Sequence, residues 1–237
     1  MPGAYMNLAI GSFLLIYYSV VLGASAAAIS LVLGVALFLD AICDPLVGAF
    51  SDQVKSRLGR RHPLMYAASI PMGVFICLLF TPPQGLSATS LIVWLAFFLI
   101  MTRVTFTFFS VPWSALIAEF SDDYEQRTVI ASYRTLIGPL LGGISSTLIL
   151  TFIFIGTPDI PKGQENLENY TLFGPLIGSL MTGWALLSTH FTRSEIPYLY
   201  QTRSSSSAGL AWLLSSILLA LKSRNYRILL VSMLVYF

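Results

Sequence analysis

Six stretches of the chain are apolar almost without interruption, at residues 4–22, 27–50, 63–80, 91–118, 136–155 and 171–189. Each is near the roughly 20 residues that carry a helix across a hydrocarbon core, and far longer than the roughly 10 of a barrel strand. A backbone in lipid must satisfy its own N–H and C=O groups, so runs of this length predict membrane-spanning helices. Polar positions cluster between the runs, and their sign alternates. Lys55, Arg57, Arg60 and Arg61 separate runs two and three, Arg127 and Arg134 lie between or beside four and five, and Arg193, Arg203, Lys222, Arg224 and Arg227 follow six. The opposite connections, 23–26, 81–90 and 156–170, hold one basic residue, Lys162. That asymmetry predicts a cytoplasmic N-terminus.

The first run lacks a charged leader and a small-residue cleavage site, so it reads as a retained span rather than a signal peptide. It starts so close to Met1 that trimming at the N-terminus is an expectation too. Residues 1–190 thus form a six-helix transmembrane bundle. Residues 191–225 read as a cytoplasmic linker: a serine-rich stretch, then Leu210, Trp212, Leu213, Leu214, Ile217, Leu218 and Leu221 at helical spacing, too short for a span and suited to an interfacial amphipathic helix. A new apolar run opens at Ile228 and ends at Phe237, so 226–237 reads as the truncated start of a seventh helix and the chain as a fragment.

Composition agrees with this picture. Of 237 residues, 56% are hydrophobic and 10% charged, and mean hydropathy is +0.77. That leaves too little polar surface for a water-soluble globule, so the surroundings are membrane lipid. The net charge of +2 sits mainly on one side and reports topology, with no nucleic-acid partner implied. Cys43 and Cys77 lie in apolar runs and suggest neither a disulfide framework nor a metal cluster. No HExxH or GxSxG motif occurs, and His62 and His190 sit at span ends, which argues against an enzyme.

Charges inside the apolar runs carry the chemistry. Asp40 and Asp44 are four residues apart in run two, so both carboxylates stack on one helix face. An ionised side chain at the bilayer centre costs about 2.5–3.5 kcal/mol even on the lenient insertion scale, so the pair demands a compensating Na⁺ or H⁺. In the bland alternative, Asp44 before Pro45 caps a helix break while Asp40 pairs with a structural basic residue. Arg103, mid-run four, either binds an anionic solute group or is the counter-ion of Asp40 or Asp44. Thr107 completes a cation cage if run four faces run two. Between runs two and three, Gly48 would allow close helix approach, and Asp52 would bond a neighbouring helix end and release it when the bundle rocks. The segment from Glu119 to Arg127 is either a gate or a solvated loop.

Asp40-Ala-Ile-Cys-Asp44-Pro45, the loop Gly48…Asp52…Arg57-Leu-Gly59-Arg60-Arg61, then Val111-Pro112-Trp113-Ser114, Arg127-Thr and Ser132-Tyr133-Arg134 together resemble the glycoside-pentoside-hexuronide:cation symporter family, the melibiose-permease-like branch of the major facilitator superfamily. The resemblance implies an all-α integral membrane fold in which this chain is the N-terminal six-helix bundle, partnered by a missing C-terminal half and inactive in transport alone. It implies cation-coupled symport of a sugar, glycoside or related small solute in a bacterial-type inner membrane, with the coupling ion in place of any other cofactor. The coupling cation falls to Asp40, Asp44 and Thr107, the metal set being Asp40 and Asp44 if Na⁺ couples. The solute falls to Arg134 and to the region of Trp113, with Ser110 and Arg103 as further candidates. Gly48, Asp52, Arg57, Gly59, Arg60 and Arg61 form the conformational gate. Ser110 and Ala4 stand where melibiose permease has sugar-binding aspartates, and Cys43 replaces an asparagine beside the cation pair, which weakens the case for Na⁺ relative to H⁺. A lysolipid symporter, or a non-transporting receptor or scaffold, remains the alternative on the same fold.

Overall fold

A computed structural model describes residues 1–120, 123–158 and 160–198, and these contain helices and no strands. The helices are α1 (Pro2–Val21), α2 (Ala26–Gln53), α3 (His62–Leu79), α4 (Ala88–Glu119), α5 (Tyr124–Phe152) and α6 (Leu167–Phe191). All six are long and apolar enough to cross a membrane. Short 3₁₀ turns, Gly163–Glu165 and Thr192–Tyr198, flank α6. The amphipathic linker helix and the start of a seventh span, expected from the sequence, lie outside the described residues.

The largest departure from the hydropathy pattern is α5, which begins at Tyr124 rather than near residue 136. Arg127, Tyr133 and Arg134 lower local hydropathy, but a cap decides where the helix starts: the Asp123 carboxylate accepts from the Glu125 N–H at 3.0 Å. Arg134 therefore sits inside a helix and not in a loop. Asn166 caps α6 in the same way, accepting from the Glu168 N–H at 3.0 Å.

Helix α3 is the hub, packed against α4 on one side and α6 on the other. Its approach to α6 requires glycine. A Cβ at Gly73 would lie 2.5 Å from the Gly178 carbonyl oxygen and 2.0 Å from Thr182 Oγ1. Thr182 uses the closeness by donating to the Ser69 carbonyl at 3.2 Å. At the far end of α3, carbonyls that a helix terminus would leave orphaned accept from aromatic side chains. Trp94 donates to Leu78 O at 3.0 Å, Tyr18 to Leu79 O at 2.7 Å and Tyr17 to Phe80 O at 3.0 Å. Phe13, Phe154, Tyr170 and Phe173 pack around these tyrosines and close that end of the bundle.

Helix α1, wound with π-helical turns over Asn7–Phe13 and Tyr17–Val21, packs on α6 and α5, and α2 packs on α4. Helices α2 and α5 are the least covered, with 17% and 11% of their membrane windows buried. Leu31, Leu37 and Phe38 on α2 and Leu136, Leu140 and Phe152 on α5 point outward.

Candidate functional site: an acidic pair and a solute pocket on either side of one helix

Helix α4 carries Arg103 and Thr107 one turn apart, and both reach α2. Arg103 Nη1 donates to Asp40 Oδ2 in an ion pair. Thr107 Oγ1, on a buried residue, donates to Asp44 Oδ1 at 3.1 Å. The two carboxylates are therefore not equivalent. Asp40 has a cationic partner and is half-buried, with 23% of its side chain exposed. Asp44 has a neutral partner and is exposed. The spacing predicted two enclosed acids; Asp44 is exposed instead, on one of the two least covered helices. Two acids less one guanidinium leave a formal charge of −1 on the cluster.

The alternatives for these residues divide. Asp44 does not cap a helix break, since α2 runs unbroken through Pro45. Proline offers no N–H, so the carbonyl of Ala41 loses its helical donor beside the acids and is a further hard oxygen. Arg103 stands with Asp40 as a counter-ion and does not line the solute pocket described next. Its Nε is buried without a partner.

The adjacent face of α4 presents Phe106, Phe109, Ser110 and Trp113 to a cavity of about 410 Å³ between α4, the start of α1 and α5. Arg134 from α5 closes it, with its guanidinium 4.4 Å from the centre of the Trp113 ring. Trp113 is fixed from behind: its Nε1–H donates to Ser188 Oγ on α6 at 2.8 Å, and Phe109 stacks beside it at 6.5 Å. Ser110, Trp113 and Arg134, drawn from separate parts of the sequence, thus share one wall, as does Ala4. Asn7, Phe106 and Phe109 were not among the sequence candidates. The stripe Phe106, Ser110, Trp113 at helical spacing could have pointed to the phenylalanines; Asn7 and Ser188 had no local signal. At the rim, burial and, secondarily, the Arg134 charge hold the Met1 amino group below its ordinary pKa.

The loop between α2 and α3 folds onto the end of α4. Gly59 takes a positive φ of 74°, a turn that favours glycine, and the following arginines converge on Glu119. Arg60 Nη2 and Arg61 Nη2 each lie 2.5 Å from Glu119 Oε1. The Glu119 and Arg61 side chains are 6% and 9% exposed. Asp52 joins at 3.3 Å from Arg61 and 3.6 Å from Arg60. The acid that ties the loop to a neighbouring helix is therefore Glu119, and Asp52 pairs within its own connection. One expectation for this segment is corrected. A Cβ at Gly48 would meet Val111 Cγ1 at 3.7 Å, an ordinary contact, so no close helix approach depends on it. Arg57 is exposed and makes no ion pair with a described residue.

Six apolar helices of spanning length, with an ion pair between two of them and a largely apolar cavity beside a third, define a multi-pass membrane protein. The chain belongs to the MFS/sugar transport protein family, whose model matches residues 1–237. It is 32% identical over 162 residues to an uncharacterized symporter of Synechocystis sp., covering 64% of this chain and 29% of that protein. It is 27% identical over 144 residues to the isoprimeverose transporter of Lactiplantibacillus pentosus, covering 61% and 30%. It is 33% identical over 132 residues to the sodium-dependent lysophosphatidylcholine symporter 1 of Xenopus tropicalis, covering 55% and 25%. The chain spans less than half the length of these relatives.

Proposed function

We propose that this chain is the cation-binding and part of the solute-binding bundle of a cation-coupled symporter that works by alternating access. One Na⁺ or H⁺ binds at Asp44, with Thr107 and the Ala41 carbonyl beside it, while Arg103 holds Asp40. The observation that carries the reading is the residual charge of −1 left by Asp40, Asp44 and Arg103 within membrane-spanning helices. A cation that neutralises this charge favours whichever conformation gathers the ligands around Asp44. A solute that binds the same conformation is then coupled to the ion. Helix α4 is the physical link, since it carries Thr107 on one face and the Phe106–Trp113 pocket wall on the next.

The solute is a sugar, a glycoside or a related small molecule, seated against Trp113 and Arg134. A lysolipid is the second reading, supported by similarity to the lysophosphatidylcholine symporter and by neutral Ala4 and Ser110 in the pocket wall. The N-terminus lies on the cytoplasmic side of a bacterial-type inner membrane, as the placement of basic residues favours, and the Arg60–Arg61–Glu119 cluster gates that side. Solute counterflow in vesicles tests the coupling: exchange should require Na⁺ or H⁺ and lose that requirement or stop in Asp44→Asn. Cation-dependent exchange that survives intact in both Asp40→Asn and Asp44→Asn removes the proposal.

A further inference from the structure

The last turn of α6 touches both the solute pocket and the gate. On the pocket side, Ser188 Oγ accepts from the Trp113 indole N–H at 2.8 Å. On the gate side, Thr192 Oγ1 lies 3.1 Å from Nε2 of His62, the residue that follows Arg60 and Arg61. Ser188 and Thr192 are one turn apart and are themselves joined: the Thr192 hydroxyl donates to the Ser188 carbonyl at 2.9 Å and shares its hydrogen with the Thr189 carbonyl at 3.2 Å. A continuous line of hydrogen bonds therefore runs from the aromatic wall to the base of the Arg60–Arg61 loop. The same loop rests on the turn beyond α6, where a Cβ at Gly59 would meet Ile196 Cγ2 at 3.6 Å.

One joint in this line is weaker than the rest. A threonine hydroxyl has a single hydrogen, here directed at carbonyls, so toward His62 it can only accept. In the neutral ring Nε2 is then the protonated nitrogen and Nδ1 a bare acceptor. His62 is fully buried, and its Nδ1 has no partner among the described residues. A buried acceptor without a donor is costly, and parting His62 from Thr192 would open it to water or another donor. The joint is thus one neutral hydrogen bond held against an internal penalty, whereas Arg61 is held to Glu119 by charge. It is the contact in the line set to open.

We propose that the last turn of α6 couples the solute pocket to the gate, with Ser188, Thr192 and His62 as positioning residues that carry a displacement of Trp113 to the Arg60–Arg61 loop. The coupling rests on reading Trp113 as a solute wall and the Glu119 cluster as a gate. A second route exists along α4 itself, where Trp113 and Glu119 are six residues apart, and the experiment separates the two.

Hydrogen–deuterium exchange on the intact 237-residue chain in nanodiscs reads the loop directly, through the Leu58 and Gly59 amides that Ser56 holds at 3.2 and 3.1 Å. Trp113→Phe keeps a ring but gives up the bond to Ser188, and should speed their exchange about 3- to 10-fold. Thr192→Val should do the same, and Trp113→Phe should add nothing in the valine background. Thr192→Ser, and His62→Gln with its side-chain N–H near the place of Nε2, should stay within about twofold of the native rate. Amides of residues 74–79, at the other end of α3, should not change in any variant. Loop exchange untouched by Trp113→Phe overturns the proposal, and so does an effect that persists in the valine background, which assigns the coupling to α4. Equal loosening at both ends of α3 reduces these residues to packing and overturns it as well. Neither solute nor cation is added, so failure here leaves the transport reading standing, and solute counterflow tests that reading separately.

Discussion

The two faces of α4 end with opposite residual charge. On the side toward α2, Asp40, Asp44 and Arg103 sum to −1, and a hydroxyl from Thr107 completes the group. On the side toward α1 and α5, Arg134 contributes +1 among neutral side chains, with the Met1 amino group at the rim, and rests on Trp113. Helical spacing produces the separation: Arg103 and Thr107 share one face, and Phe106, Ser110 and Trp113 the adjacent one. What matters for function is the charge left after internal pairing, and not the number of charged residues in an apolar run. Asp40 and Arg103 largely cancel one another. Asp44 and Arg134 have no ion-pair partner among the described residues.

Removing Arg103 should break this comparison most severely. Arg103→Gln leaves the half-buried Asp40 bare, so we expect about 2–3 kcal/mol of destabilisation, less than for a fully buried pair, together with a rise from one bound cation to two. An unchanged thermal midpoint and an unchanged cation count would show that Asp40 does not depend on Arg103. Thr107→Ala should weaken Na⁺ binding about 3- to 10-fold by removing a hydroxyl oxygen beside Asp44, with solute affinity in the absence of cation unaffected and Thr107→Ser restoring the ion. Equal loss in alanine and serine variants would assign Thr107 to packing alone. The smallest effect belongs to Trp113→Phe, which keeps a ring and gives up the bond to Ser188. Solute affinity should fall about threefold, roughly 0.7 kcal/mol, with the cation count intact; a change in the count would mean that the two faces are not separate sites.

Length made the membrane helices legible, because nothing but a span accounts for such apolar runs. The start of α5 was hidden by Arg134, a charge that lowers hydropathy yet is accommodated by an aromatic face contributed from α4. The spacing of Asp40 and Asp44 placed them on one helix face, but their different fates depended on α4. The sequence left Arg103 open between a counter-ion and a solute ligand, since its partner lies far along the chain and only packing brings them together. Thr107 was a cage candidate only on condition that run four faces run two, and the packing of α4 on α2 meets that condition. Gly48 shows the converse limit: a glycine near the end of α2 suggests a close approach, but whether anything approaches is a property of the neighbouring helix. Glu119, in a mixed-charge segment with two open readings, proved to be a buried anchor for two arginines.

Counting the cations bound by the purified chain tests the central claim most directly. Equilibrium ²²Na⁺ binding, run alongside proton uptake and release in weakly buffered solution, should give one ion per chain for the native protein and none for Asp44→Asn. An Asp44→Asn protein that still takes up one cation with unaltered affinity would contradict the account, because the residual negative charge on which coupling depends would then reside elsewhere.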